Sequence, residues 1–344
     1  MNGKKILVTG GLGFIGSHTV VELIGAGYDV VIADDLSNSQ ILILERITKI
    51  TRITPPFYAI DVSCKPALLE IFSKEKNIEA VIHFAASKSV AESVEKPLMY
   101  FKNNLCSLIN VLNCMSESHV RNIVFSSSAT VYGEPDSLPV LESAPFKQAL
   151  SAYGSTKQMC EEILEKVAMT GEINAIALRY FNPVGAHPSL LIGELPIGIP
   201  NNLMPFVTQT AAGIREKLVV FGNDYPTPDG TCVRDYIHVV DLAQAHVRSC
   251  DRFLNNQQKN NHEVFNVGTG NGISVLEIIK AFEKYNDLKL NYAFGHRREG
   301  DAAAIYADAS LIKKEIGWES KLGLKEMVTT AWQWQKKLSM HVLN

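Results

Sequence analysis

The sequence predicts an α/β protein: a doubly wound parallel sheet wrapped by helices, followed by a second, smaller α/β lobe. Three observations predict it. Short β-rich runs alternate with longer helical patterns through the first half. A glycine-rich turn joins the first strand to the first helix, and after Tyr180 the texture turns loop-rich, with Pro183, Pro188, Pro196, Pro200, Pro205, Pro226 and Pro228.

Taken in order, residues 5–9 read as a buried strand because Ile6, Leu7 and Val8 are consecutive apolar residues. A helix over 14–26 and a strand over 28–33 complete the first β-α-β unit. Further strands are expected at 57–61, 80–84, 122–126 and 174–179, with helices over 66–76, 100–117 and 152–170. Such alternation requires parallel strands joined by crossover helices. The pattern returns in part at 232–240 and 263–267, so the chain is expected to revisit its first domain. The polar stretch 255–261 reads as a surface loop.

The turn Gly10-Gly11-Leu12-Gly13-Phe14-Ile15-Gly16 marks the sheet as Rossmann-type. Gly10 and Gly13 let the backbone turn tightly and let a pyrophosphate approach the helix N-terminus, and Gly16 lets helix and strand pack closely. Asp34 ends the second strand eighteen residues after Gly16, close to the ~20 expected of a carboxylate that binds adenosine ribose hydroxyls. An unpaired carboxylate there would repel a 2′-phosphate, which favours NAD over NADP. Asp61 and Val62 follow the third strand within reach of an adenine, and Phe84, Ala85 and Ala86 follow the fourth beside the pyrophosphate. His83 reads as a structural hydrogen-bonding residue.

Composition excludes several classes. The net charge is −3 over 344 residues and no Lys/Arg run occurs, which argues against nucleic acid or an anionic membrane as partner. No stretch approaches the ~20 apolar residues of a membrane span. The glycines of the first helix region argue against a signal peptide. Six scattered cysteines, Cys64, Cys106, Cys114, Cys160, Cys232 and Cys250, suggest neither a metal site nor a redox dithiol and read as buried thiols of a cytoplasmic protein.

Tyr153 and Lys157 stand four residues apart on the expected helix 152–170, downstream of Ser126-Ser127-Ser128. Positions i and i+4 share a helix face, so an ammonium near a phenol would favour the phenolate and make a general base. The constellation points to an enzyme.

With these residues in place the chain resembles the extended short-chain dehydrogenase/reductases, and among them the UDP-glucose 4-epimerase family. The resemblance runs from Lys5 to about Gln335 and is most specific at 10–18, 126–133, 153–157, 179–188, 198–205, 221–225, 233–239 and 297–301. It implies an NAD-dependent isomerase that interconverts UDP-galactose and UDP-glucose through a 4-keto intermediate, with weaker action on UDP-N-acetylhexosamines. Residues 1–180, with a return near 232–270, would bind NAD, and 181–344 would form the UDP-sugar lobe. Tyr153 would be the base at the sugar 4-hydroxyl, Lys157 would hold the nicotinamide ribose and lower the phenol's pKa, and Ser128 would hydrogen-bond O4. The implied cofactor set adds Phe14, Ile15, Asn38, Lys88, Asn103 and Phe181 to the residues above, with Asn103 steadying the active-site backbone. The implied UDP-sugar set is Asn182, Asn202, Leu203, Phe221, Arg234, Arg298 and Asp301, together with Ile305 beside the hexose C2. Cationic arginines suit a diphosphate, and an aromatic wall suits a base. A homodimer through the helices at 100–117 and 152–170 is also implied.

Two other readings compete. Nucleotide-sugar 4,6-dehydratases place Asp-Glu just after the active-site Ser/Thr, and UDP-glucuronate decarboxylases keep the Glu; here Ala129 and Thr130 stand there. Neither shuttles a proton as a carboxylate does. An NAD-binding regulatory protein that has lost catalysis is disfavoured by the presence of Ser128, Tyr153 and Lys157.

Overall fold

The computed structural model describes residues 3–298 and 301–342. The apolar run at the N-terminus forms β1 (Lys5–Thr9), and the glycine turn leads into α1 (Phe14–Gly25) and β2 (Asp29–Asp34). Then follow α2 (Leu42–Thr51), β3 (Phe57–Ala59), α3 (Lys65–Lys74), β4 (Ile78–His83), α4 (Val90–Glu95), α5 (Pro97–Glu117), β5 (Asn122–Ser128), α6 (Ala152–Met169) and β6 (Asn174–Tyr180). Helix α2 and the short α4 have no counterpart in the sequence reading. Helix α5 begins three residues earlier than expected because Pro97 fits the first helical turn, where its missing N–H costs nothing.

Beyond Tyr180 come β7 (Asn182–Val184), α7 (Leu203–Ala211), β8 (Leu218–Phe221), β9 (Val233–His238) and α8 (Val239–Leu254). The chain ends with β10 (His262–Val267), β11 (Gly272–Ser274), α9 (Val275–Asn286), β12 (Tyr292–Gly295), β13 (Ala304–Ile305), α10 (Ser310–Ile316) and α11 (Leu324–Val342).

Seven parallel strands form the main sheet in the order β10-β6-β5-β4-β1-β2-β3. Strand order reverses direction between β1 and β4, which opens a crevice at their C-terminal ends, the place where such sheets bind ligands. One face is covered by α1, α2, α8 and α10, through a core that includes Val20, Leu23, Ile43, Leu242, Phe253 and Ile312. The other face carries α3, α5 and α6, through Leu68, Ile71, Leu108, Val111, Cys160 and Leu164. Helix α8 and strand β10 belong to the main-sheet domain although they come late in the chain.

The second lobe is a small sheet in the order β11-β9-β13, with β7 also paired to β9, and a separate β8–β12 pair. Helices α7, α9 and α11 close it through Val207, Leu218, Val220, Phe282, Met327 and Val328. All six cysteines are unpaired, but Cys64 and Cys106 are exposed, contrary to the expectation of burial. Cys64 precedes α3 at the surface, and Cys106 lies on the outward face of α5. No helix among the described residues is long and apolar enough to cross a membrane.

Candidate active site

The crevice begins with backbone geometry that only glycine tolerates. Gly10 has φ +68°, and a Cβ there would lie 2.9 Å from the Ala85 nitrogen at the end of β4. A Cβ on Gly16 would lie 2.2 Å from the Gly10 carbonyl oxygen, so helix and strand touch through that missing atom. Gly13 caps α1 with no side-chain hydrogen bond to the first turn. That end of α1 therefore presents N–H groups and a positive dipole to an anion. Phe14 packs edge-on against His18 at 5.3 Å, and Ile15 packs against the core.

Asp34 is buried at the end of β2 and is not the unpaired carboxylate the sequence suggested. It accepts from the Leu12 N–H (3.0 Å), the Leu36 N–H (3.0 Å) and the Ser39 hydroxyl (2.7 Å). A carboxylate has about four acceptor sites, so one remains open, while the Leu12 contact holds the glycine turn and the other two hold the segment after β2. Asp61 is exposed and holds Ser63, and Val62 is buried beside it. Asn38 and Lys88 are exposed, and the Phe84 ring lies 4.7 Å from that of His246. His83 is the structural residue expected, bonded through Nδ1 to the Thr9 hydroxyl at 2.8 Å; burial first and Lys157 second push its pKa down to about 3.

Helix α6 and strand β5 meet over the catalytic candidates. Ser151 caps α6 by accepting from the Gly154 N–H (3.2 Å), which puts Tyr153 in the first turn, where the helix dipole favours negative charge. Burial pushes the Tyr153 phenol up to about 12, and a hydrogen bond with Ser128 opposes the rise. The expectation that Lys157 lowers this phenol is not met: the ammonium stands 5.8 Å from the Tyr153 ring centroid and is itself buried. Burial brings Lys157 down to about 8. The ammonium donates to the Ser126 carbonyl oxygen at 2.7 Å and lies 4.7 Å over the Phe125 ring.

The backbone between β4 and α4 is steadied by Asn104, which the sequence reading missed in favour of its neighbour. Asn104 accepts from the Ser87 N–H (2.8 Å) and donates to the Ser87 carbonyl (3.0 Å) and the Thr156 hydroxyl (3.0 Å). Asn103 reaches only the Ser87 hydroxyl (3.1 Å) and Asn104 itself. The reason is helical phase: α5 buries Tyr100, Asn104, Ser107, Leu108 and Val111, so position 104 faces inward and 103 stands at its edge.

In the second lobe, Arg298 pairs with both oxygens of Asp301 (3.1 and 2.9 Å), and Arg234 approaches the same carboxylate at 3.4 Å. The Arg298 guanidinium lies 5.8 Å from the centroid of the Phe221 ring, which is 46% exposed. Glu299 and Gly300, inside the segment 297–301, lie outside the described residues. Asn182 is exposed at the start of β7, Asn202 donates to Glu194 (2.6 Å) ahead of α7, and Leu203 opens that helix. Ile305 pairs in register with Arg234 and is buried in a cluster with Ala129, Tyr132 and Phe181. Phe181 thus contributes packing next to the Ser128 turn.

Residues 7–331 match the family model described as GDP-mannose 4,6 dehydratase. A Bacillus subtilis UDP-glucose 4-epimerase is 51% identical over 331 residues, covering 96% of each chain. The solved structure of a Stenotrophomonas maltophila UDP-glucose-4-epimerase, with bound NAD and formylated UDP-arabinopyranose, superposes with a TM-score of 0.95 at 47% identity, over 98% of this chain and 99% of that one. The Bifidobacterium longum UDP-glucose 4-epimerase in complex with NAD+ and UDP gives a TM-score of 0.93, also at 47% identity, over 97% and 98% of the two chains.

Proposed function

We infer that this chain, which belongs to the UDP-glucose 4-epimerase family of extended short-chain dehydrogenase/reductases, is an NAD-dependent isomerase interconverting UDP-galactose and UDP-glucose through a 4-keto intermediate. The observation that carries this is the Ser128–Tyr153–Lys157 group, buried at the crevice into which the glycine turn opens. Ala129 and Thr130, in the turn after Ser128, offer no carboxylate for a dehydratase's elimination.

The glycine cradle and the uncapped α1 terminus fit a dinucleotide pyrophosphate, and the lone remaining acceptor site of Asp34 fits a ribose hydroxyl better than a 2′-phosphate. When bound, NAD+ supplies a hydride acceptor and donor, so the reaction needs no outside oxidant. Tyr153 takes the O4 proton in one direction and returns it in the other. Ser128 steers that oxygen by hydrogen bonding. Lys157, an ammonium against the Ser126 carbonyl, holds the nicotinamide ribose. Phe84, Ala85, Ala86, Lys88 and Phe181 line the same side, while Asn38, Asp61 and Val62 serve the adenosine end.

Arg234, Arg298 and Phe221 hold UDP, with Asp301, Asn182, Asn202 and Leu203 around them, and Ile305 limits the hexose at C2. Residues 1–180, together with the return near 232–270, form the cofactor domain; 181–344 form the substrate lobe. We also propose a cytoplasmic homodimer through α5 and α6. Its support is their outward apolar residues, Leu98, Ile109 and Met159, each at least 42% exposed.

The test is to mix the purified protein with UDP-galactose and no added cofactor. Formation of UDP-glucose is expected, and a sensor would form none. Denaturing the same preparation should release NAD; recovery mainly of NADP would overturn the role given to Asp34.

A further inference from the structure

The three consecutive serines at the end of β5 each engage a different residue of α6. Ser128 hydrogen-bonds Tyr153, the Ser126 carbonyl accepts from Lys157, and the Ser127 hydroxyl donates to Glu161. The partners stand at i, i+4 and i+8, one face of the helix. Two of these contacts belong to the chemistry already described. The third is made by a carboxylate that no step of the reaction uses.

Glu161 is nearly inaccessible and belongs to a closed network. Arg179, near the C-terminal end of β6, donates from Nε to both carboxylate oxygens (3.0 and 3.1 Å) and from Nη2 to one of them (2.7 Å). Its Nη1 donates to the Tyr132 hydroxyl (3.0 Å) and to the Glu142 carbonyl (3.1 Å). The Tyr132 hydroxyl in turn donates to Asn266 on β10 (2.6 Å). A charged pair at this depth is seldom worth its desolvation as a stabiliser, because well-packed apolar residues do as well. Its geometry is therefore the informative feature: it ties β5, β6, β10 and the turn after Ser128 to the helix carrying Tyr153 and Lys157.

We propose that Glu161 is a positioning residue for the epimerase reaction: it locks the Ser126–Ser128 strand end against α6 and supplies the fixed negative charge that offsets the buried Lys157 ammonium. The groups facing that ammonium support the second part. From α6 they are Tyr153, Cys160 and Glu161; from β4, His83; from β5, the Ser126 carbonyl and the Phe125 ring; from β6, Tyr180 lies behind Ser126, whose hydroxyl it meets. Burial pushes the Cys160 thiol up to about 11 and holds His83 neutral, so neither carries the needed charge near pH 7. Glu161 does. Burial brings Lys157 down to about 8, while Cys160 and Glu161 oppose the fall, so removing the carboxylate lets the lysine lose its proton at lower pH.

The inference rests on the epimerase reading, and wild-type turnover of UDP-galactose is its control: an inactive wild type would defeat that reading, whereas an active wild type with unaltered variants would defeat only this one. The experiment compares Glu161→Gln/Arg179→Gln, which removes both charges together, with Ser127→Ala, which removes one hydrogen bond and no charge. Each is measured for NAD content, for KM and kcat on UDP-galactose, and for kcat between pH 6 and 10. The double variant should lose about 10²-fold in kcat, the scale expected when reacting groups shift by roughly an ångström, with KM within about twofold. Glu161→Gln alone, which removes the carboxylate and keeps the Arg179 charge, should move the alkaline limb to lower pH. Ser127→Ala should lose several-fold in kcat with the limb unmoved. If the double variant does not fold, Ser127→Ala decides alone on kcat. Wild-type kcat in the variants, or a loss confined to KM or to melting temperature, would overturn the proposal.

Discussion

The two walls of the active crevice are built on opposite principles. On the main-sheet side three buried groups have fixed intramolecular partners: Asp34 makes three hydrogen bonds, Thr9 holds His83, and Asn104 grips both backbone groups of Ser87. On the other side Phe221 is half exposed, and Arg234 and Arg298 share one carboxylate, Asp301, with the Arg298 side chain 45% exposed. Rearranging the first wall means breaking buried hydrogen bonds, each worth about 1–3 kcal/mol if left unsatisfied. Rearranging the second exchanges ion pairs of which the exposed Arg298–Asp301 contact is worth roughly 0–1 kcal/mol. A cofactor that must stay for many turnovers needs the rigid wall. A sugar that must turn over while its nucleotide is gripped needs the adjustable one.

The largest expected effect breaks the rigid side. Tyr153→Phe removes the proton acceptor and one hydrogen bond without emptying the site, so kcat should fall by about 10²–10⁴ while UDP-sugar binding changes little. Near-normal turnover in the Phe variant would remove Tyr153 as the base. Arg298→Ala, on the adjustable side, should instead raise KM. A charge-assisted contact of about 1.5–3 kcal/mol corresponds to roughly 10–150-fold. A kcat loss at unchanged KM would show that this wall does more than anchor UDP.

Acid probes both sides. Burial holds His18 and His83 near 3 and His246 near 4 on α1, β4 and α8 of the main-sheet layer, and His238 near 4 at the end of β9, all below the ordinary 6.5. Above about pH 6.5 these imidazoles are neutral in both folded and unfolded chains and cost nothing. Below it the unfolded chain binds protons that the folded one refuses, so stability falls by about 1.4 kcal/mol per pH unit for each histidine until its folded pKa is reached. Urea midpoints measured from pH 7 to 5 should therefore drop steeply. His246→Gln, at a ring whose Nε2 has no partner, should flatten the slope by about one proton. A slope indifferent to that change would take His246 out of the account.

The sequence makes the main-sheet side more legible than the substrate lobe, for physical reasons. Strand β1, the glycine turn and the crossover helices carry local signals: an apolar run, missing Cβ atoms and a change of period. Helix α2 carries none at its start, since Ile41 precedes it in a helical conformation with no side-chain cap. In the second lobe the Ser274–Glu277 capping box marks α9 by a readable rule, yet the surrounding short strands and prolines mask it. Residue roles divide in the same way. Ser128, Tyr153 and Lys157 are brought together as their spacing suggests, but Asn104 and Glu161 act through partners distant in sequence. For Arg179 a signal exists: a charged residue in a strand buried along nearly its whole length needs a buried counter-charge.

The smallest expected effect concerns sugar range, at the one substrate-side residue built like the rigid wall. Ile305 is packed with Ala129, Phe181 and Tyr132 and pairs in register with Arg234, so it adjoins both the Ser128 turn and an arginine proposed to hold the diphosphate. Its β-branched side chain is stiff. It has less reach than a tyrosine ring but more bulk than a cysteine, so an acetamido group at C2 should fit only with strain. UDP-N-acetylglucosamine should therefore be a detectable but poorer substrate than UDP-glucose, by about 1–3 kcal/mol or roughly 10–200-fold in kcat/KM. Ile305→Cys should narrow that gap several-fold, and Ile305→Tyr should widen it. Because the side chain is buried, the cysteine variant should also lose about 1 kcal/mol of stability through lost packing, which a melting curve separates from specificity. A changed melting temperature with an unchanged ratio of kcat/KM values would make Ile305 a packing residue alone, and the limit on the hexose would then have to come from the adjustable wall.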